Sequence, residues 1–132
     1  MPYSTWAPLA SWIDIVLLIA RLILGGTMVH YGWPKVKAPR KNAFDEIAKA
    51  GFTPGWLWGT IILFTEFGGG LAIIVGLYTW VAAALIGVEM LTGALWKITK
   101  AHKPFPEYSY DLLLLALALM LLAVGPGAYA LT

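Results

Sequence analysis

The sequence predicts an all-α integral membrane protein, an antiparallel up-down four-helix bundle with both termini on the non-cytoplasmic side. Three observations carry this expectation. The first is composition. Of 132 residues, 60% are hydrophobic and 12% charged, whereas soluble domains are roughly half apolar and about a quarter charged. The second is four long apolar runs. Each approaches the ~20 residues a helix needs to cross about 30 Å of hydrocarbon, and each is apolar all round, which a barrel strand is not. The third is the basic residues, eight of the nine grouped in two connecting segments. A chain of this length forms one domain, spanning 1–132. A net charge of +2 is too small to suggest nucleic-acid binding. The 14% aromatic content excludes disorder. With no cysteine, thiolate metal sites, iron–sulfur clusters and thiol catalysis are excluded, and no other metal site is predicted.

Residues 1–11 contain no Lys or Arg. They therefore lack the basic start of a cleavable signal, and Tyr3, Trp6 and Pro8 suit the headgroup layer. The first span covers about 12–33. A segment over 34–55 follows, in which 42–49 is expected to form a short amphipathic helix with Phe44, Ile47 and Ala48 toward the membrane. The second span covers 56–78 and the third 80–98, joined so tightly that they form a hairpin. The fourth covers 111–129, with Gly125-Pro126-Gly127 as a helix stop. Asp111 is expected at its N-terminus, where a carboxylate favours the helix dipole. All seven tryptophans fall near span ends, as in an interfacial belt.

Direction follows from charge. Lys35, Lys37, Arg40, Lys41 and Lys49 lie between spans 1 and 2. Lys97, Lys100 and Lys103 lie between spans 3 and 4. The positive-inside rule places both segments in the cytoplasm and predicts a multi-pass protein of the inner membrane.

The chemistry-bearing residues are the charges inside the spans. Arg21, Glu66 and Glu89 fall near the middle of spans 1, 2 and 3. A charge at the bilayer centre costs about 2.5–3.5 kcal/mol on insertion scales, so the three are expected to face one another. Each lies on a small-residue face, with Gly25 beside Arg21, Gly69 and Gly70 beyond Glu66, and Gly93 on the face of Glu89. Gly68–Gly70 is expected to widen the interior. One arginine neutralises one carboxylate. The other carboxyl then holds a proton or meets a ligand, which suits a quinone or a proton path. An ion cluster that only locks helix packing is the alternative. Lys35 continues the Arg21 face and is placed to attract an anion or a quinone head. His30, on the opposite face, is a candidate to bind a quinone carbonyl, a haem or chlorophyll, or a partner.

Three motifs resemble the DoxX/DoxD family. Arg21-Leu-Ile-Leu-Gly25 with His30-Tyr-Gly32-Trp-Pro-Lys35 is similar to its first-span signature. Glu66-Phe-Gly-Gly69-Gly70, with Gly76 and Glu89, is similar to its second. Gly125-Pro126-Gly127-Ala-Tyr129-Ala-Leu131 is similar to its C-terminal motif, although Thr132 stands where the family often has Asp. The family commonly opens the fourth span with Glu, and here only Glu107 and Asp111 lie near that point. The resemblance covers nearly the whole chain. It implies a four-helix membrane bundle. It also implies a membrane subunit of a quinone-linked oxidoreductase system, as in thiosulfate:quinone oxidoreductase. In that role Glu66, Glu89 and Arg21 carry the chemistry, and His30, Lys35, Gly25, Gly69 and Gly70 hold the quinone. The other reading is a non-catalytic accessory subunit of a larger respiratory or photosynthetic membrane complex. Either reading implies lipid, membrane partner subunits or a homo-oligomer as partners, and no nucleic acid.

Overall fold

In a computed structural model of the protein, residues 12–131 are described. The expectations for Tyr3, Trp6, Pro8 and Thr132 lie outside them. The described residues contain no strand. Four helices are long and apolar enough to cross a membrane: α1 (Ile13–Lys37), α3 (Gly55–Val75), α4 (Thr79–Thr99) and α5 (Phe105–Val124). Between the first two lies α2 (residues 40–49), a wide π-type turn over Arg40–Phe44 that runs into Asp45–Lys49.

Local chemistry sets the boundaries. α1 continues to Lys37 through Pro34, so the first span is longer than 12–33. α3 ends at Gly76, whose φ of 75° is left-handed. There the Leu77 N–H donates to the Ala72 carbonyl at 2.9 Å, the closure glycine permits after a helix. Tyr78 then opens α4. The fourth helix differs most from expectation, occupying Phe105–Val124 rather than 111–129. Pro104 precedes it and Pro106 lies in its first turn, where a missing N–H costs nothing. Gly125, with φ 94°, stops it.

The long helices form two close pairs, α1 with α3 and α4 with α5, while α3 and α4 touch less despite their short connection. In the first pair, glycine allows backbone to meet backbone. A Cβ on Gly25 would lie 2.6 Å from the Gly70 carbonyl oxygen, and one on Gly32 would lie 2.8 Å from the Phe67 nitrogen. In the second, Gly87 faces Leu115 and Ala118. Leu24, Met28, Ile73, Ile86 and Leu121 are fully buried and join the pairs. Ile19, Ile23, Val88 and Leu113 point outward, an apolar exterior suited to lipid. Trp12, Trp33, Trp56, Trp58 and Trp80 are also exposed.

The segment after α1 turns Phe44 and Ala48, expected to face the membrane, onto α3. Phe44 packs on Gly59, and Ala48 approaches Gly55. The Trp96 Nε1–H donates to the Ala50 carbonyl at 2.9 Å. α2 is therefore a roof over one end of the bundle, because glycines at the start of α3 leave a seat for its apolar side.

Candidate functional site

The site begins with an irregularity in α3. Phe64–Gly68 widen into a π-type turn, a form frequent at functional sites. Gly68–Gly70 follow it, and glycine holds a regular helix weakly. The turn carries Thr65 and Glu66 inward, both buried, and leaves Phe64 exposed. Lys35, in the last turn of α1, forms an ion pair with Glu66. Glu89, from α4, lines the same cavity as Glu66, and its Oε1 is buried without a partner. On the α4–α5 side, Lys97 Nζ is 2.9 Å from Asp111 Oδ2.

These five groups lie in the seam between the helix pairs. Three carboxyls thus face two ammonium groups. One negative charge has no cation, and in a medium of low dielectric an uncompensated charge is costly. A proton or a ligand that donates hydrogen bonds completes the set.

Cavities lie on both sides of the cluster. One, of about 450 Å³, contains all five charged groups together with Thr65 and Trp96, beneath Ile47, Ala50 and Phe52 of the roof. The other, of about 440 Å³, shares Lys35, Glu66, Lys97 and Asp111 and opens past Tyr31, Tyr110 and Glu107. The Tyr31 and Tyr110 rings meet edge-on, 5.9 Å between centroids.

The expected pairing of Arg21 with a carboxylate is not formed. Arg21 is buried, but its guanidinium donates to four carbonyls. Nε bonds Ile73 O at 3.0 Å and Nη2 bonds Ile74 O at 2.8 Å. Nη1 bonds Pro126 O at 3.1 Å and Tyr129 O at 2.7 Å. The first two acceptors belong to the last turn of α3, where carbonyls lack helical partners and the helix dipole is negative. Gly32 packs on Phe67, so Glu66 lies near the level of Gly32. That is about 16 Å along α1 from Arg21. Span centres counted from sequence put the two charges at one depth; the offset between α1 and α3 separates them.

The other predicted residues divide. Lys35, Glu66 and Glu89 come together. Gly25 and Gly70 form a backbone contact between helices. Gly69 lies toward α4 beside Ile86. His30 is exposed, edge-on to Tyr31, and lines neither cavity around the cluster. Gly68–Gly70 do not open the interior uniformly, since Gly70 is filled by α1. Lys97 and Asp111 were missed as site residues. Asp111 is expected at a helix start, but α5 begins at Phe105 and holds it, partly buried, a turn and a half inside. A Pro-x-Pro pair read as a first turn would have revealed this.

The DoxX family profile matches residues 16–98, which include α1, the roof and the three clustered groups Lys35, Glu66 and Glu89. The chain belongs to the DoxX family. "Inner membrane protein YqjF" of Escherichia coli (strain K12) is 31% identical over 124 residues, covering 89% of each chain. No solved structure matches. The DoxX match spans the first helix pair and α4, so the family's region supplies both walls of the seam, while Asp111 lies beyond it.

Proposed function

We propose that this DoxX protein is the membrane subunit of a quinone-linked oxidoreductase system and binds the quinone head at the Lys35–Glu66–Glu89 cluster. One observation carries the reading: the Glu66 and Glu89 carboxyls, the second with an unpartnered buried oxygen, share a cavity between the helix pairs in which Lys35 pairs with Glu66. A bound quinone accepts electrons and takes up protons. Lys35 donates a hydrogen bond toward a carbonyl oxygen. Glu66 and Glu89 hold and pass protons, as general acids within reach of the head. The roof of α2 and Trp96 limit water above them. The electron donor, such as thiosulfate, is oxidised by a partner subunit.

The E. coli relative is named as an inner membrane protein, and the charge distribution supports insertion there with α2 and the α4–α5 connection in the cytoplasm. Up-down passage of four spans then leaves both termini outside.

The test is purification from native membranes in mild detergent, followed by extraction of bound quinone, for wild type and Glu66→Gln. The expected result is near-stoichiometric quinone in the wild type, and quinone turnover lost in a Glu66→Gln protein that still assembles. A large particle without quinone of its own, in which Glu66→Gln lowers assembly, supports the accessory-subunit reading instead.

A further inference from the structure

The seam is open toward lipid on one side. Between α3 and α4 runs a groove of about 420 Å³. Gly69, Ala72 and Ala82 contribute small side chains to it, and Phe64, Val81 and Leu85 stand along its exposed edge. From Thr60 to Ala72 it follows α3 for about 18 Å, more than half of a ~30 Å hydrocarbon layer. The Thr60 hydroxyl is already used, donating to the Trp56 carbonyl at 2.6 Å.

Two observations distinguish this groove from an ordinary furrow on a lipid-facing surface. It is continuous with the charged cavity, because Ile61, Thr65 and Leu85 line both. It also lies between two sequence-adjacent helices that touch less than the members of either close pair. Gly69 keeps it open. A Cβ there would meet only Ile86, at 3.7 Å, so the helices have not closed on the space that glycine leaves.

From this continuity we infer that the α3–α4 groove is the lateral portal of the site and holds the apolar chain of the molecule whose polar head meets Glu66 and Glu89. The head being a quinone rests on the function proposed above; the placement of the chain rests on the groove. Apolar chains gain little hydrophobic energy on leaving lipid for a protein surface. The groove therefore acts by shape. It fixes the direction from which the head arrives, with the chain running from the cluster toward the Tyr78 end of α3 and α4.

The test uses two photoactivatable probes in membranes containing the wild-type protein. One is a benzoquinone with a diazirine in its alkyl chain. The other is a fatty acid with a diazirine in its chain. Labelled peptides are mapped by mass spectrometry. The expected result is saturable quinone labelling within residues 60–85, competed by unlabelled quinone. Gly69→Leu should reduce it about tenfold, the loss produced by roughly 1.4 kcal/mol. Gly68→Leu, whose new side chain meets open space, should leave it within about twofold. A quinone that binds saturably but labels elsewhere overturns the groove and leaves the cavity reading intact. Failure of the quinone to bind, with saturable fatty-acid labelling sensitive to Gly69→Leu, overturns the quinone and supports the groove. Unsaturable labelling spread over all four helices by both probes marks ordinary annular lipid and overturns the inference.

Discussion

Arg21 and Lys35 sit on one face of α1 and meet opposite fates. Arg21 is a planar fork of donors, and four carbonyls at the end of α3 and in the C-terminal tail use it. Asp14 joins the same node by accepting from the Ala128 N–H at 2.9 Å. This node binds the Gly125-Pro126-Gly127 motif to the bundle. Lysine has a single charged nitrogen and no fork. Arg21→Lys should therefore lower stability by about 2–4 kcal/mol, since buried carbonyls lose their donors. It should also free the tail. Thermal unfolding in detergent and the rate of chymotryptic cleavage after Tyr129 read the two effects. An unchanged cleavage rate would falsify the clamp. The sequence made the intramembrane charges legible as functional or structural centres, and their helical faces as inward. Their partners were not legible, because partnership depends on the axial offset of packed helices. The contacts of Gly25 and Gly32 with α3 reveal that offset.

At the scale of elements, glycine in α1 does different work at neighbouring positions. Gly25 meets the Gly70 backbone, whereas a Cβ on Gly26 would meet nothing within 4 Å. Gly25→Ala should push α1 from α3 and cost about 1–3 kcal/mol, as overpacking does. Gly26→Ala should be neutral or stabilising, because alanine favours helix by up to ~1 kcal/mol. Thermal melts of the two variants in one detergent check the contrast; equal melts would remove the close-packing argument. The α4–α5 pair shows where element reading fails. Counting apolar residues sets the fourth span at 111–129, with Asp111 at its N-terminus, whereas the helix runs over Phe105–Val124. Asp111 is inside because Lys97 pairs with it and Gly93 gives it room, the would-be Gly93 Cβ lying 3.3 Å from Asp111 Oδ2. That compensation comes from another helix and has no trace in the local pattern.

For the whole molecule, the two ends of the bundle differ in kind. At one end, the Trp96–Ala50 hydrogen bond brings the C-terminal end of α4 onto α2, so the two basic segments are neighbours in space as well as alike in charge. At the other, the Arg21 node gathers the end of α3 and the tail. The length and hydropathy of the apolar runs make the four spans legible. The internal seam was not legible, because it arises from which helices pair. The asymmetry in charge between the ends predicts a direction in the membrane, and the absence of cysteine makes it measurable. A single cysteine is introduced at Lys41, on the exposed side of α2, or at Trp80, exposed at the start of α4. In intact spheroplasts a membrane-impermeant maleimide should label Trp80→Cys and not Lys41→Cys. After permeabilisation it should label both. The reverse pattern would mean that the eight clustered basic residues lie outside, against the positive-inside rule. The charged cluster, nearer the basic end than Arg21 is, would then lie toward the external face, and a quinone held as proposed would draw its protons from that side.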